Sequence, residues 1–204
     1  AIAGNDLQTF PDYPAEIRAP VGTLAGVSGY QLHFSSEAIH TPGDAPDVLV
    51  VMNPAALKRS LPELPRGGMI IANSGAFNDA NLQKVGYAKN PLEDGSLEAY
   101  RLFAVDMQAH CKNALEVVAG VDFKEVSRSK NMWALGLMYW LFNRPVEKQI
   151  EWLTEKFKKN PAILEANLRV FKAGYAYGDT VELFHETYKV ESAPMEAGTY
   201  RNVM

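Results

Sequence analysis

Apolar positions recur in three rhythms along this 204-residue chain, and each rhythm predicts a different element. The first is the unbroken run. "DVLVVMN" at 47–53 is short, continuous and rich in Val, the pattern of a strand covered on both faces in a parallel sheet. "NPAALKRSL" comes next, with Asn53 suited to a helix N-cap and Pro54 to the first helical position, so the pair predicts a strand-to-helix junction. "GGMIIANS" at 67–74, continued by "NDANLQKVGY", repeats the arrangement. "RLFAVDMQAHCKNAL" at 101–115 repeats it again, with Asp106 placed to cap the helix after it. Repeated strand-then-helix units predict a three-layer α/β/α domain around a mostly parallel sheet. The second rhythm is alternation. "GYQLHFSS" at 29–36 switches between apolar and polar residues, which predicts a strand nearer the sheet edge, antiparallel to its neighbour.

The third rhythm, from residue 127 onward, is helical. Val146, Ile150, Leu153 and Phe157 fall at i, i+4, i+7 and i+11, as do Leu164, Leu168, Phe171 and Tyr175. Between these two stripes lies "KKNPA", whose Pro cannot continue one helix but can begin the next, so a C-terminal helical hairpin is expected. "MWALGLMYWLF" at 132–142 is too short to span a bilayer and predicts a buried helix. Beyond Gly178 the pattern weakens into the Pro, Gly and polar content of a linker. The chain therefore divides into an α/β core at 1–126, a helical part of the same domain at 127–178 and a linker at 179–204.

Segment 10–23, "FPDYPAEIRAPVGT", breaks every rhythm. Pro11, Pro14 and Pro20 fix φ and remove backbone donors, so the segment predicts a stiff extended loop that holds Glu16 and Arg18 in set positions. Those two residues suit a ligand-facing loop or a solvated ion pair worth about 0 to 1 kcal/mol.

Composition narrows the function classes. Hydrophobic residues at 47% and charged residues at 22% are those of a globular domain. A formal charge of −4 without a basic block sets nucleic acid aside as a partner. A single cysteine, Cys111, rules out an internal disulfide and a four-cysteine metal or cluster site on these residues, and predicts a reducing, cytoplasmic setting. The first residues carry neither an initiator Met nor the features of a signal peptide, so sequence upstream is expected.

In open α/β sheets, ligands bind outside the carboxyl ends of the strands. That rule picks out Asn53, Asn73 with Ser74, and Asp106, each of which fits a helix cap or turn as well as ligand contact. "SRSKNM" at 127–132 places Lys130 and Asn131 at a predicted helix start, where free N–H groups suit either an anion or an ordinary cap. No glycine-rich nucleotide motif occurs, and the histidines at 33, 40, 110 and 185 make no pair at ligand spacing, so no metal site is expected. His33 in an alternating strand predicts a structural histidine. Cys111 beside His110 does not make a nucleophile and base, because helical neighbours point to different faces. No complete catalytic constellation emerges, which suggests a domain assisting chemistry performed elsewhere.

The stretch from "FPDYPAEIRAPVGT" through "DVLVVMNPAAL" and "GGMIIANS", with "SKNMWALGL" and "AGTYRNV" later, resembles the gamma-type domain of the 2-oxoacid:ferredoxin oxidoreductases. Within that family it is similar to the two-subunit 2-oxoglutarate branch, where the domain opens a fused gamma–alpha subunit. The resemblance covers nearly the whole chain and implies a Rossmann-like fold. It also implies a holoenzyme that converts 2-oxoglutarate and coenzyme A to succinyl-CoA and carbon dioxide while reducing ferredoxin. Thiamine diphosphate with Mg2+ and an iron–sulfur cluster would be the holoenzyme's cofactors, held by a following alpha-type domain and a beta-type subunit, and none would be bound by this segment alone. Glu16 and Arg18 match the family's Glu-x-Arg loop, which with Thr23, Asn53 and Asn73 is expected to face coenzyme A or the substrate. The resemblance leaves open a pyruvate or other 2-oxoacid enzyme, and a Rossmann-like scaffold that touches no ligand is the other class of reading. Two departures stand out. The family's first strand and glycine-rich turn are expected ahead of the proline loop, and here "AIAGNDLQTF" supplies neither; after Met204 the family continues into its cofactor-binding domain.

Overall fold

A computed structural model describes residues 5–14, 19–20, 22–39, 45–116, 118, 123–181 and 187–193. At its centre lie three parallel strands in the order β3-β4-β5: β3 (Val48–Val51), β4 (Met69–Asn73) and β5 (Arg101–Val105). Alternation along each strand sorts side chains to two faces. Val51, Ile70 and Ala72 meet α1 (Pro54–Ser60) and α2 (Asp79–Lys84) through Leu57 and Leu82. Met69, Ile71 and Val105 meet α3 (Met107–Leu115), α4 (Phe123–Leu141) and α6 (Pro161–Thr180) through Cys111, Trp133, Leu137 and Val170. The result is the expected three-layer arrangement. β4, paired on both sides, is buried along its whole length, whereas β3 and β5 are partly exposed because each has one neighbour.

The alternating segment behaves differently from expectation. It forms β2 (Gly29–Ser35), antiparallel as expected, but its partner is β1 (Asp6–Asp12) in a separate two-stranded ribbon rather than the edge of the parallel sheet. β1 runs into the start of the proline segment but belongs to the ribbon and not to the parallel sheet, whose first described strand is β3. Pro11 sits within β1 opposite Tyr30, a position open to proline because a two-stranded ribbon consists of edges.

The hairpin of α5 (Glu147–Phe157) and α6 forms as predicted, with Pro161 in the first turn and the Asn160 side chain accepting from Ile163 N at 3.3 Å. The main packing face of α6 differs from the expected stripe. Its most enclosed residues are Ala166, Val170, Phe171, Gly174 and Gly178, while Leu164 and Leu168 line an open groove with Glu165, Arg169 and Lys172. Small residues carry little hydrophobic signal yet allow backbones to approach. A Cβ on Gly174 would stand 1.9 Å from the Trp133 carbonyl oxygen, and one on Gly136 2.0 Å from that of Phe171. The described part of the linker, 187–193, packs back on the domain. Tyr188 N donates to Leu141 O at 2.7 Å, and the Tyr188 ring stacks on Phe142. Among the described residues no helix is long and apolar enough to cross a membrane.

Candidate functional site

The carboxyl ends of the parallel strands are laced together by their own side chains. Asn53 caps α1, its Oδ1 accepting from Ala56 N at 2.9 Å, as its place before Pro54 predicted. Asp106 caps α3, its Oδ1 accepting from Gln108 N at 3.1 Å and Ala109 N at 3.0 Å. Gly75 makes room for that carboxylate, since a Cβ there would lie 2.5 Å from the capping oxygen. Asn73 joins all three strands' connections. Its Oδ1 accepts from Met107 N at 3.2 Å and its Nδ2 donates to Met52 O at 3.4 Å, with the residue 0% exposed. Asn73 thus ties two backbone segments together from beneath the surface, a positioning role that fits the turn reading of the sequence. The same bonds close the start of α3 as an anion site: the N–H groups of Met107, Gln108 and Ala109 are all taken.

Glu16 and Arg18 lie outside the described residues, but the ends of their loop are visible. At the entry, Asp12 pairs with Arg59 of α1 at 2.8 Å. At the exit, the Thr23 hydroxyl donates to Pro20 O at 2.7 Å and Thr23 N to the same oxygen at 3.3 Å, closing a turn in which Gly22 adopts φ +85°. Gly22 faces Lys84 at the end of α2. Both anchors are thus near the C-terminal ends of α1 and α2, whereas Asn53 and Asn73 lie at the opposite ends of the corresponding units.

Lys130 and Asn131 are displaced from their expected place. α4 begins at Phe123, about two turns earlier, so their N–H groups belong to the helix's own ladder and offer nothing to an anion. The difference arises because the apolar rhythm becomes visible only after the first turns have formed. Cys111 is enclosed between α3 and α4, and burial pushes its thiol up to about 11, opposed by a Ser129 hydrogen bond and the Lys130 charge. His110 is stacked on Trp133 at 5.3 Å and edge-on to Tyr177 at 4.7 Å. His33 is half-buried on β2. Among the described residues no group of three or more His, Cys, Asp or Glu side chains could hold a metal ion.

One aromatic array has no counterpart in the sequence pattern. Phe34 of the ribbon meets Phe142 edge-on at 5.2 Å under the Arg144 guanidinium, and Phe142 stacks on Tyr188, whose hydroxyl accepts from Arg101 at 2.9 Å. These residues are scattered over the chain and share no spacing, so only the fold assembles them.

Residues 1–177 match the family described as pyruvate ferredoxin/flavodoxin oxidoreductase. The 2-oxoglutarate oxidoreductase subunit KorA of Mycobacterium tuberculosis is 49% identical over 203 residues, spanning 100% of this chain and 31% of that protein. A 2-oxoglutarate:ferredoxin oxidoreductase from Magnetococcus marinus, solved with 2-oxoglutarate, coenzyme A and succinyl-CoA bound, superposes with a TM-score of 0.66 at 26% identity over 94% of this chain and 28% of its own. A keto/oxoacid ferredoxin oxidoreductase gamma subunit from Geobacter sulfurreducens shares the fold, with a TM-score of 0.54 at 16% identity over 88% of this chain and 84% of its own. The chain thus spans about a third of the length of KorA.

Proposed function

The chain belongs to the pyruvate ferredoxin/flavodoxin oxidoreductase family, and from that membership we propose that it acts as the gamma-type domain of a 2-oxoglutarate:ferredoxin oxidoreductase. The holoenzyme would convert 2-oxoglutarate, coenzyme A and oxidised ferredoxin to succinyl-CoA, carbon dioxide and reduced ferredoxin. The observation that carries this reading is the 49% identity to KorA across the full chain. A chain with one cysteine cannot ligate an iron–sulfur cluster alone. By the family resemblance, thiamine diphosphate, Mg2+ and the cluster would sit in an alpha-type domain following on the same polypeptide and in a beta-type subunit.

The domain's own contribution would be to receive coenzyme A or the acyl carboxylate through Glu16 and Arg18. Arg18 suits the task because a planar guanidinium can grip a phosphate or carboxylate with two parallel hydrogen bonds. The described ends of the loop lie at the Asp12–Arg59 ion pair and at the Pro20–Thr23 turn. Asn53 and Asn73 would hold the strand ends in place rather than touch the ligand.

Arg18→Ala in the complete enzyme tests the proposal. Losing a charge-assisted contact of about 1.5 to 3 kcal/mol should raise the KM for coenzyme A or 2-oxoglutarate about 10- to 100-fold with the melting temperature nearly unchanged. Arg18→Lys should recover part of that loss, because it keeps the charge without the fork. Unaltered constants for both substrates would remove the loop as a ligand-facing site and leave a scaffold. Faster turnover of pyruvate than of 2-oxoglutarate by the unaltered enzyme would overturn the substrate assignment.

A further inference from the structure

An isolated two-stranded ribbon is at best marginally stable in water, yet the ribbon formed by β1 and β2 presents an uncharged stripe to solvent. Cross-strand pairing puts Thr9 opposite Leu32 and Pro11 opposite Tyr30 on one face, with Phe34 continuing that face inward. Tyr30 is 67% exposed and Leu32 47%, and Thr9 and Pro11 are exposed beside them. None of these carries a charge, so the stripe suits an apolar partner rather than water.

Resting on the domain assignment above, we infer that this stripe is the docking surface for the remainder of the same polypeptide, the alpha-type domain that follows the segment. Two observations select that occupant. Segment 187–193, the last described stretch of the chain, packs at the Phe34 end of the stripe: Phe34 meets Phe142, Phe142 stacks on Tyr188, and Asn5 at the foot of β1 donates to Glu191 O at 2.5 Å. KorA, which aligns with the whole of this chain, has about two thirds of its length besides. A body tethered beside the ribbon has a high effective concentration there, which a separate subunit or a second copy lacks. Docking would also supply the packing a two-stranded ribbon needs, and would hold the base of the Glu16–Arg18 loop, which grows from β1.

A photo-crosslinking amino acid placed at Tyr30, and separately at Thr9, in the complete enzyme tests this. The expected products are intramolecular crosslinks to peptides beyond residue 204. A cysteine introduced by Leu32→Cys should react with a maleimide at least about 10-fold more slowly in the native enzyme than after urea unfolding, as for a protected site. Crosslinks to another subunit or to a second copy would overturn the inference, as would full reactivity at position 32 in the native enzyme. Assay of 2-oxoglutarate-dependent ferredoxin reduction on the same preparations keeps the two readings apart. An active enzyme with an open ribbon refutes the docking surface alone, and an inactive unaltered enzyme refutes the function.

Discussion

Asn73 fits a turn as well as a ligand contact in the sequence, and the structure adds a positioning role that spans two connections. Its position at the end of an apolar strand was legible, but the groups it binds, Met52 O and Met107 N, come from different strand-to-helix connections. Cys111 makes no nucleophile–base pair with His110 by helix geometry, and the structure buries its side chain. Its pKa gives a prediction with a definite sign. Folding raises it from 9.0 to about 11, so the neutral thiol is the favoured folded form. The associated stability is fully present below pH 9 and is lost as pH climbs toward 11, at up to about 1.4 kcal/mol per pH unit for one proton. Denaturation of the unaltered protein and of Cys111→Ala across that window cancels the other titrating groups. The stability difference between them should change by about 2 to 3 kcal/mol, and a constant difference would contradict the assigned cause.

At the scale of elements, the strand-to-helix junctions follow from neighbouring residues. Asn53 with Pro54, and Asp106, fit caps by their place in the chain, and both make the expected bonds. Gly75 adds a coupling that sequence does not reveal, because its missing Cβ leaves the space Asp106 occupies. Asp106→Ala should cost about 1 kcal/mol as a lost cap. Gly75→Ala should cost a similar amount by pushing the carboxylate away, and the double variant should be no worse than Asp106→Ala alone. Additive losses in urea titrations would show that the two do not share one interaction. The crossing of α4 and α6 makes a stronger demand, since the added Cβ at position 174 meets backbone rather than a side chain able to rotate away. Gly174→Ala should destabilise by about 1 to 3 kcal/mol or more despite the gain in helix propensity of about 1 kcal/mol. A denaturation midpoint at or above that of the unaltered protein would mean that the helices separate without loss.

For the whole molecule, the division of labour leads to a direct expectation. Purified residues 1–204, supplied with 2-oxoglutarate and coenzyme A, should reduce neither ferredoxin nor a viologen dye, because the single buried Cys111 offers no route for electrons through a cluster. Dye reduction above background would place redox chemistry within this segment and overturn the proposed allocation of cofactors.

The chain's own order of residues determined the three strand-and-helix units, the caps Asn53 and Asp106 and the hairpin at Pro161, because each depends on residues adjacent or one turn apart. It could not decide that the alternating strand would leave the parallel sheet for a ribbon with β1, since pairing is chosen by partners distant in sequence. Nor could it locate the start of α4 from its rhythm, or show that Gly174 and Gly178 share the main face of α6 with Val170 and Phe171, because close backbone approach has no hydropathy signature. The Phe34, Phe142 and Tyr188 array and the enclosure of Asn73 likewise belong to tertiary structure: hydrogen bonds and ring contacts between distant segments exist only once the layers have packed.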